Sequence, residues 1–132
     1  MTNRPFVGAA VFLVDPDNQI LMGHRLSRHG QGLWGIPGGH VEFGEDPSCT
    51  AQRETKEETG IDIPSPYLLG ITSDLFPEND THYITLFYVT TVPKGTIPKR
   101  MEPDKFDAWE WFDLRQLPDN LFLPIKIGRA HV

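Results

Sequence analysis

Apolar and polar positions divide the 132-residue chain into several strand-like segments and one helix. Residues 6 to 14, FVGAAVFLV, form an unbroken apolar run with β-branched members, which is typical of a buried strand. The turn residues Asp15 to Asn18 separate this run from QILMGHR, so the two segments are predicted to form a hairpin. Glycines interrupt a short apolar segment, LWGIPGG, and a polar loop is predicted from Lys94 to Asp104. Further strands are predicted at YLLGITSDLF, HYITLFYVTTV and AWEWFDL.

One helix is predicted between Asp46 and Gly60. Asp46 suits the N-cap because its carboxylate can accept hydrogen bonds from free backbone N–H groups. Pro47 suits the first helical position, and Gly60 suits a left-handed exit. A helix of this kind among several strands predicts an α+β or layered α/β/α domain. We expect one domain, covering residues 3–128, since no repeat or long linker divides the chain.

Composition and charge exclude several classes of protein. Hydrophobic residues make up 39% and charged residues 23%, as in ordinary globular proteins. The net charge of -6 argues against binding long nucleic acids, which requires a basic surface. No apolar run approaches the ~20 residues that span a bilayer, so we expect no membrane association. Cys49 is the only cysteine, which excludes an intramolecular disulfide and favours a reducing, cytoplasmic compartment.

Acidic residues crowd one face of the predicted helix. Glu54, Glu57 and Glu58 fall within an arc of roughly 100°, where like charges repel by a few tenths of a kcal/mol per pair. The face is either a solvated charged surface or a site for a hard cation such as Mg²⁺ or Mn²⁺. The preceding Gly38 and Gly39 favour the second interpretation, because glycines allow the backbone to approach a cation closely. Their spacing from the acids predicts a metal–diphosphate site.

This segment resembles the Nudix box of the Nudix hydrolase superfamily. Gly39 is followed after five residues by Glu45, and after seven more by RETKEETGI from Arg53 to Ile61. Thr55 is the one departure, at a position where the family usually has an aliphatic residue. The segments LWGIPGGHVEFGE and EPDKFDAWEWFDLRQLP also resemble MutT-type members, which act on nucleoside triphosphates. The resemblance implies an α/β/α sandwich, with a mixed β-sheet between helices and the box as loop–helix–loop.

The resemblance also implies roles for individual residues. The Mg²⁺ ligands, with Mn²⁺ as a substitute, would be the Gly38 carbonyl and the carboxylates of Glu54, Glu57 and Glu58. Either Glu54 or Glu57 would also orient or deprotonate the attacking water. Glu45 and Arg53 would hold these ligands in position without binding the metal themselves. A later loop often supplies a further acid, for which Glu102 is the first candidate and Asp104 the second. A solvated loop charge is the alternative interpretation of Glu102.

Three residues are candidates for contacting the substrate: Arg25, Gly39 and His40. Arg25 could bind a phosphate through two N–H groups, although an exposed arginine at a strand end is an equal alternative. His40 could donate a hydrogen bond to the substrate, or it could be a structural loop histidine. The base could stack on an aromatic side chain, with core packing as the alternative interpretation for each of Trp34, Phe76, Tyr83, Trp109 and Phe122.

The leading interpretation is a Mg²⁺-dependent hydrolase that converts nucleoside triphosphates, including oxidised or non-standard ones, to nucleoside monophosphate and pyrophosphate. A second interpretation keeps the chemistry and changes the substrate to a nucleotide sugar, ADP-ribose, dihydroneopterin triphosphate or an isoprenoid diphosphate. A third is a Nudix-fold binding module without catalysis, although such modules usually lack one or more of the glutamates that are intact here. The expected partners are a small-molecule substrate and a second copy of the chain in a homodimer.

Overall fold

The computed structural model describes residues 3–122, which contain seven β-strands, one α-helix and a short 3₁₀ turn at Pro77–Asn79. The helix α1 spans Pro47–Thr59. The strands are β1 (Phe6–Val14), β2 (Gln19–Arg25), β3 (Trp34–Gly35), β4 (Gly38–His40), β5 (Tyr67–Phe76), β6 (Thr81–Thr91) and β7 (Phe106–Asp113). The predicted helix and the predicted long strands are confirmed. The predicted domain of residues 3–128 ends outside the described residues.

The strands form one mixed sheet around β1. The sheet has the order β3-β2-β1-β6-β5, with β4 also paired to β1 and β7 also paired to β2. β1 and β6 run parallel from Phe6↔Tyr83 to Val14↔Thr91, and the other pairs are antiparallel. The β1–β2 pair is the predicted hairpin. Val11, Phe12 and Leu13 of β1 are buried on alternate faces of the sheet, and packing on both faces explains the unbroken apolar run.

Hydrophobic clusters lie on both faces of the sheet. Val11 and Leu13 of β1 pack on the α1 side with Leu21, Ala51 and Tyr88. The alternate residue Phe12 packs on the opposite face, with Ile20, Met22, Phe87 and Leu121. The mixed sheet with a helix packed on it confirms an α+β fold. Within the described part of the chain, no helix is long and apolar enough to cross a membrane.

The ends of α1 are fixed by the residues that predicted them. The Asp46 side chain accepts from the Ser48 N–H at 2.9 Å, and Gly60 has φ of 76° in the left-handed region. The long loop before β7 is attached to this end of the helix, because the Lys99 N–H donates to the Thr59 carbonyl at 2.8 Å. The Met101 N–H donates to the Glu58 carbonyl at 3.4 Å. This attachment brings the following residue, Glu102, to the acidic side of α1.

Candidate active site

Two adjacent glycines let β4 lie against both β1 and α1. A Cβ on Gly38 would lie 2.6 Å from the Ala9 carbonyl oxygen and 2.8 Å from the Ala10 Cα. A Cβ on Gly39 would overlap the carboxylate of Glu54. The Gly38 N–H donates to Glu58 Oε1 at 3.1 Å. Because the N–H and C=O of one extended residue point to the same side, the Gly38 carbonyl also faces the acids.

Two of the helix glutamates face β4, and the third lies at the rim. Glu58 is only 4% exposed, and burial together with the charges of Glu54 and Glu102 raises its pKa well above the usual range. Burial also raises the pKa of Glu54 to about 7, with a further contribution from its hydrogen bond to Glu57 and the charge there. Glu57 itself is exposed. We call Glu54, Glu57, Glu58 and Glu102 the acid cluster.

Arg53 connects the acid cluster to the preceding loop. Its Nε and Nη2 donate to the two carboxylate oxygens of Glu45 at 2.8 and 3.0 Å. Its Nη1 lies 3.3 Å from Glu54 Oε1 and 3.2 Å from Glu57 Oε1. The Thr50 hydroxyl donates to Glu45 at 2.7 Å, and these hydrogen bonds lower the pKa of Glu45 to about 2. The fork geometry of a guanidinium therefore fixes Glu45 relative to Glu54 and Glu57.

The long loop contributes Glu102 and a lysine that sequence reasoning missed. Glu102 Oε1 is buried and has no hydrogen-bond partner among residues 3–122, and its Oε2 lies 3.6 Å from Lys105 Nζ. Asp104, the second candidate, is exposed and makes no side-chain hydrogen bond or ion pair with residues 3–122. Lys105 follows Glu102 by three residues, but this spacing alone does not predict that the lysine lies beside the acid cluster.

The donor chemistry of the acid cluster fits a hard divalent cation. Within residues 3–122, no three His, Cys, Asp or Glu side chains lie at ligand spacing from one common point. However, carboxylates that are buried together raise one another's pKa, and a cation between them reverses that effect. Glu102 adds an anionic carboxylate oxygen, and the Gly38 carbonyl adds a neutral one. Mg²⁺ and Mn²⁺ prefer oxygen donors of both kinds. The residues that would hold such a cation are Gly38, Glu54, Glu58 and Glu102, with Glu57 at the rim.

A pocket opens next to the glycines and is lined by Arg25, His29, Gly39, His40, Tyr83 and Phe122, among others. The Arg25 guanidinium carbon lies 4.3 Å from the centre of the Phe122 ring, and burial lowers the pKa of this arginine. Its Nη2 donates to the His29 carbonyl at 2.9 Å. His40 Nε2 lies 3.1 Å from the Tyr83 hydroxyl. The structure therefore brings Arg25, Gly39 and His40 into one pocket.

The predicted aromatic candidates divide between pocket and core. Tyr83 and Phe122 line the pocket, and Phe76 packs behind them against His29 with ring centres 4.6 Å apart. Trp34 packs in the cluster opposite α1, and Trp109 packs beside the cluster under α1. The two tryptophans therefore belong to the core. His29, whose buried Nε2 finds no hydrogen-bond partner among the residues that the structure describes, was not among the sequence candidates.

Comparison with known proteins agrees with this architecture. The NUDIX domain family model matches residues 4–131. The chain is 35% identical over 122 residues to an ADP-ribose pyrophosphatase of Methanocaldococcus jannaschii, covering 91% of this chain and 69% of that protein. It is 34% identical over 145 residues to an RNA pyrophosphohydrolase of Caulobacter vibrioides, covering 96% and 80%.

A solved structure of a MutT NUDIX hydrolase from Burkholderia pseudomallei superposes with a TM-score of 0.91. The two chains are 31% identical, and the match covers 98% of this chain and 99% of the other. The sequence match, the shared fold and the acid cluster on α1 all lead to one assignment. The chain belongs to the NUDIX domain family and is a Nudix hydrolase that acts on phosphoric anhydrides.

Proposed function

We propose that the protein is a Mg²⁺-dependent hydrolase that cleaves a nucleoside triphosphate to nucleoside monophosphate and pyrophosphate. The observation that carries this proposal is the junction of the acid cluster with the Arg25 pocket. Gly38 belongs to both, because its N–H donates to buried Glu58 and it lines the pocket together with Arg25. A nucleotide anhydride needs both features, because it is polyanionic at the reacting phosphates and aromatic at the base.

Each feature of the site suits one part of that substrate. A Mg²⁺ ion held by the acid cluster and the Gly38 carbonyl would neutralise phosphate charge and lower the pKa of a bound water. Glu54 or Glu57 is the candidate to accept the proton of the attacking water, since Arg53 contacts both carboxylates. Arg25 is the candidate to bind phosphate oxygens. The rings of Tyr83 and Phe122 are candidates to stack on the base.

ADP-ribose is the second candidate substrate. The 35% identity to an ADP-ribose pyrophosphatase supports it, and the same site chemistry would cleave its diphosphate. The 34% identity to an RNA pyrophosphohydrolase supports a third test substrate, an RNA with a 5′-triphosphate. All three substrates present a phosphoric anhydride attached to a nucleoside. They differ in the group on the far side of the anhydride.

A hydrolysis panel with Mg²⁺ tests the proposal. It compares normal and oxidised nucleoside triphosphates with ADP-ribose, nucleotide sugars, isoprenoid diphosphates and 5′-triphosphorylated RNA, and separates the products by chromatography. We expect monophosphate and pyrophosphate from a triphosphate, with turnover abolished by EDTA and reduced by about a hundredfold or more in Glu58→Gln, as for loss of a group that acts in the transition state. Glu110→Gln, which removes an exposed carboxylate on β7, is the matched control with full activity.

Turnover of ADP-ribose alone would overturn the triphosphate proposal and retain the site chemistry. Full activity of Glu58→Gln would refute the assignment of the acid cluster. Mn²⁺ is expected to replace Mg²⁺ in the same assay, since both accept oxygen ligands in octahedral geometry. The proposal also includes a cytoplasmic location and a homodimer. Light scattering on the purified protein tests the dimer, and cell fractionation tests the location.

A further inference from the structure

Lys105 is a cation fixed at the edge of the acid cluster. Its Nζ lies 3.6 Å from Glu102 Oε2. A tight turn holds the pair together, because the Lys105 N–H donates to the Glu102 carbonyl at 2.9 Å. The Lys105 carbonyl accepts from the Leu26 N–H at 2.8 Å, which ties the turn to the end of β2. The backbone of Lys105 is therefore fixed, and its side chain is about half exposed.

The charge of Lys105 acts on the carboxylates of both elements that form the cluster. Although partial burial disfavours the ammonium, Glu102, Glu54 and Glu58 together raise the pKa of Lys105. The lysine pairs with one oxygen of Glu102, and the other oxygen is buried with no hydrogen-bond partner in the described part of the chain. Arg53 contacts Glu54 and Glu57 as well as Glu45, so it compensates the part of the cluster on α1.

We propose that Lys105 balances the charge of the acid cluster when no divalent cation is bound, and thereby sets the affinity of the site for that cation. The inference rests on the proposed function, since it concerns the metal site used there. A flexible ammonium can leave Glu102 when a divalent ion arrives, and its residual repulsion lowers the affinity for the ion. Without Lys105, Glu102 loses the ion pair that it makes within residues 3–122, while Arg53 still contacts Glu54 and Glu57 and the charge of Arg25 still acts on Glu58.

Metal binding without substrate tests this inference. Mn²⁺ titration followed by electron paramagnetic resonance gives the dissociation constant for wild type, Lys105→Gln and Lys105→Arg. We expect Lys105→Gln to bind Mn²⁺ about fivefold or more tightly, because a positive charge near the ion is removed. Lys105→Arg keeps the charge and should stay near wild type. Lys94→Gln is the matched control, since Lys94 Nζ also lies 3.6 Å from a carboxylate oxygen, that of Asp17, on an exposed loop.

Thermal unfolding distinguishes this role from a merely structural one. We expect Lys105→Gln to have a lower Tm than wild type in EDTA and a larger rise in Tm on adding Mn²⁺, because tighter binding to the folded state stabilises it more. An equal drop in Tm with and without Mn²⁺, or an unchanged dissociation constant, would overturn the inference and leave the proposed function intact. A wild-type protein that binds no Mn²⁺ would refute both.

Discussion

The contact between Gly39 and Glu54 permits a demanding test of the site geometry. Gly39→Ala adds one methyl group at the point where the Glu54 carboxylate lies against β4. The added Cβ would be 2.8 Å from Glu54 Cγ and would overlap the carboxylate group itself. The obstacle is the end of a flexible side chain, so the carboxylate can move away while the backbone stays in place. The variant should therefore fold and lose the position of one glutamate.

The size of the effect follows from the distance that Glu54 must move. Carbon–oxygen contacts without overlap need more than about 3 Å, so the carboxylate shifts by about 1 Å, and a misplacement of this size can lower a rate by about a hundredfold. The free energy of unfolding should change by only about 1 kcal/mol, because the side chain relaxes toward solvent. Gly38→Ala differs, since its Cβ would meet the backbone of Ala9 and Ala10. It should cost about 2 kcal/mol or more.

The assay combines kinetics with urea unfolding. For Gly39→Ala we expect a fall in kcat and weaker Mn²⁺ binding, with an unfolding midpoint near that of wild type. For Gly38→Ala we expect a clear fall in the midpoint. Gly8→Ala is the control for stability, because its Cβ would make only an ordinary 3.5 Å contact with the Gly39 carbonyl. Wild-type kcat in Gly39→Ala would refute the view that Glu54 must lie against β4 for turnover.

Two further predictions concern charged residues around the site. Because hydrogen bonds from Arg53 hold the pKa of Glu45 at about 2, below the usual 4.5, its carboxylate stabilises the fold above pH 4.5 and loses that contribution as the pH falls toward 2. Glu45→Gln should lower the urea midpoint at pH 7, and the difference from wild type should shrink between pH 4.5 and 2; a constant difference would contradict the linkage. Arg25→Lys should raise KM by about tenfold with a smaller change in kcat. A lysine whose ammonium lies over the Phe122 ring cannot also present two N–H donors to a phosphate, as the planar guanidinium can. Arg115→Lys, at an exposed site, is the kinetic control, and an unchanged KM in Arg25→Lys would remove Arg25 from substrate binding.

The helix and the long strands could be predicted because their signals are local. Asp46 and Gly60 limit α1 through hydrogen bonds and a left-handed φ that involve only neighbouring residues. β1 and β2 have the predicted bounds because apolar runs and turn residues mark both ends. The parallel pairing of β1 with β6 is different, since it joins residues 77 positions apart, such as Phe6 and Tyr83, and no local pattern encodes it.

Most of the candidate site could be predicted only as a set of residues, without its division into roles. The box gives Glu54, Glu57 and Glu58 equal weight, but the packing of β4 on α1 buries Glu58 and leaves Glu57 exposed. The place of Glu102 depends on a loop tied to the end of α1. The position of Lys105 beside the acid cluster likewise follows from the position of that loop. Electrostatic neighbours of this kind arise from tertiary structure, and spacing alone does not reveal them.

The threonines of α1 show how a departure from the family pattern fits the fold. Thr55 is fully buried where an aliphatic residue is usual, and its hydroxyl donates to the Ala51 carbonyl at 2.7 Å. Thr59 bonds the Thr55 carbonyl in the same way, also at 2.7 Å. A hydroxyl that bonds the preceding turn is satisfied within the helix, so its burial carries little penalty. The buried Thr50 hydroxyl lies 3.4 Å from the Asp46 carbonyl but donates at the shorter distance of 2.7 Å to Glu45, so the side of α1 that packs on the sheet also helps to hold the carboxylate that fixes Arg53.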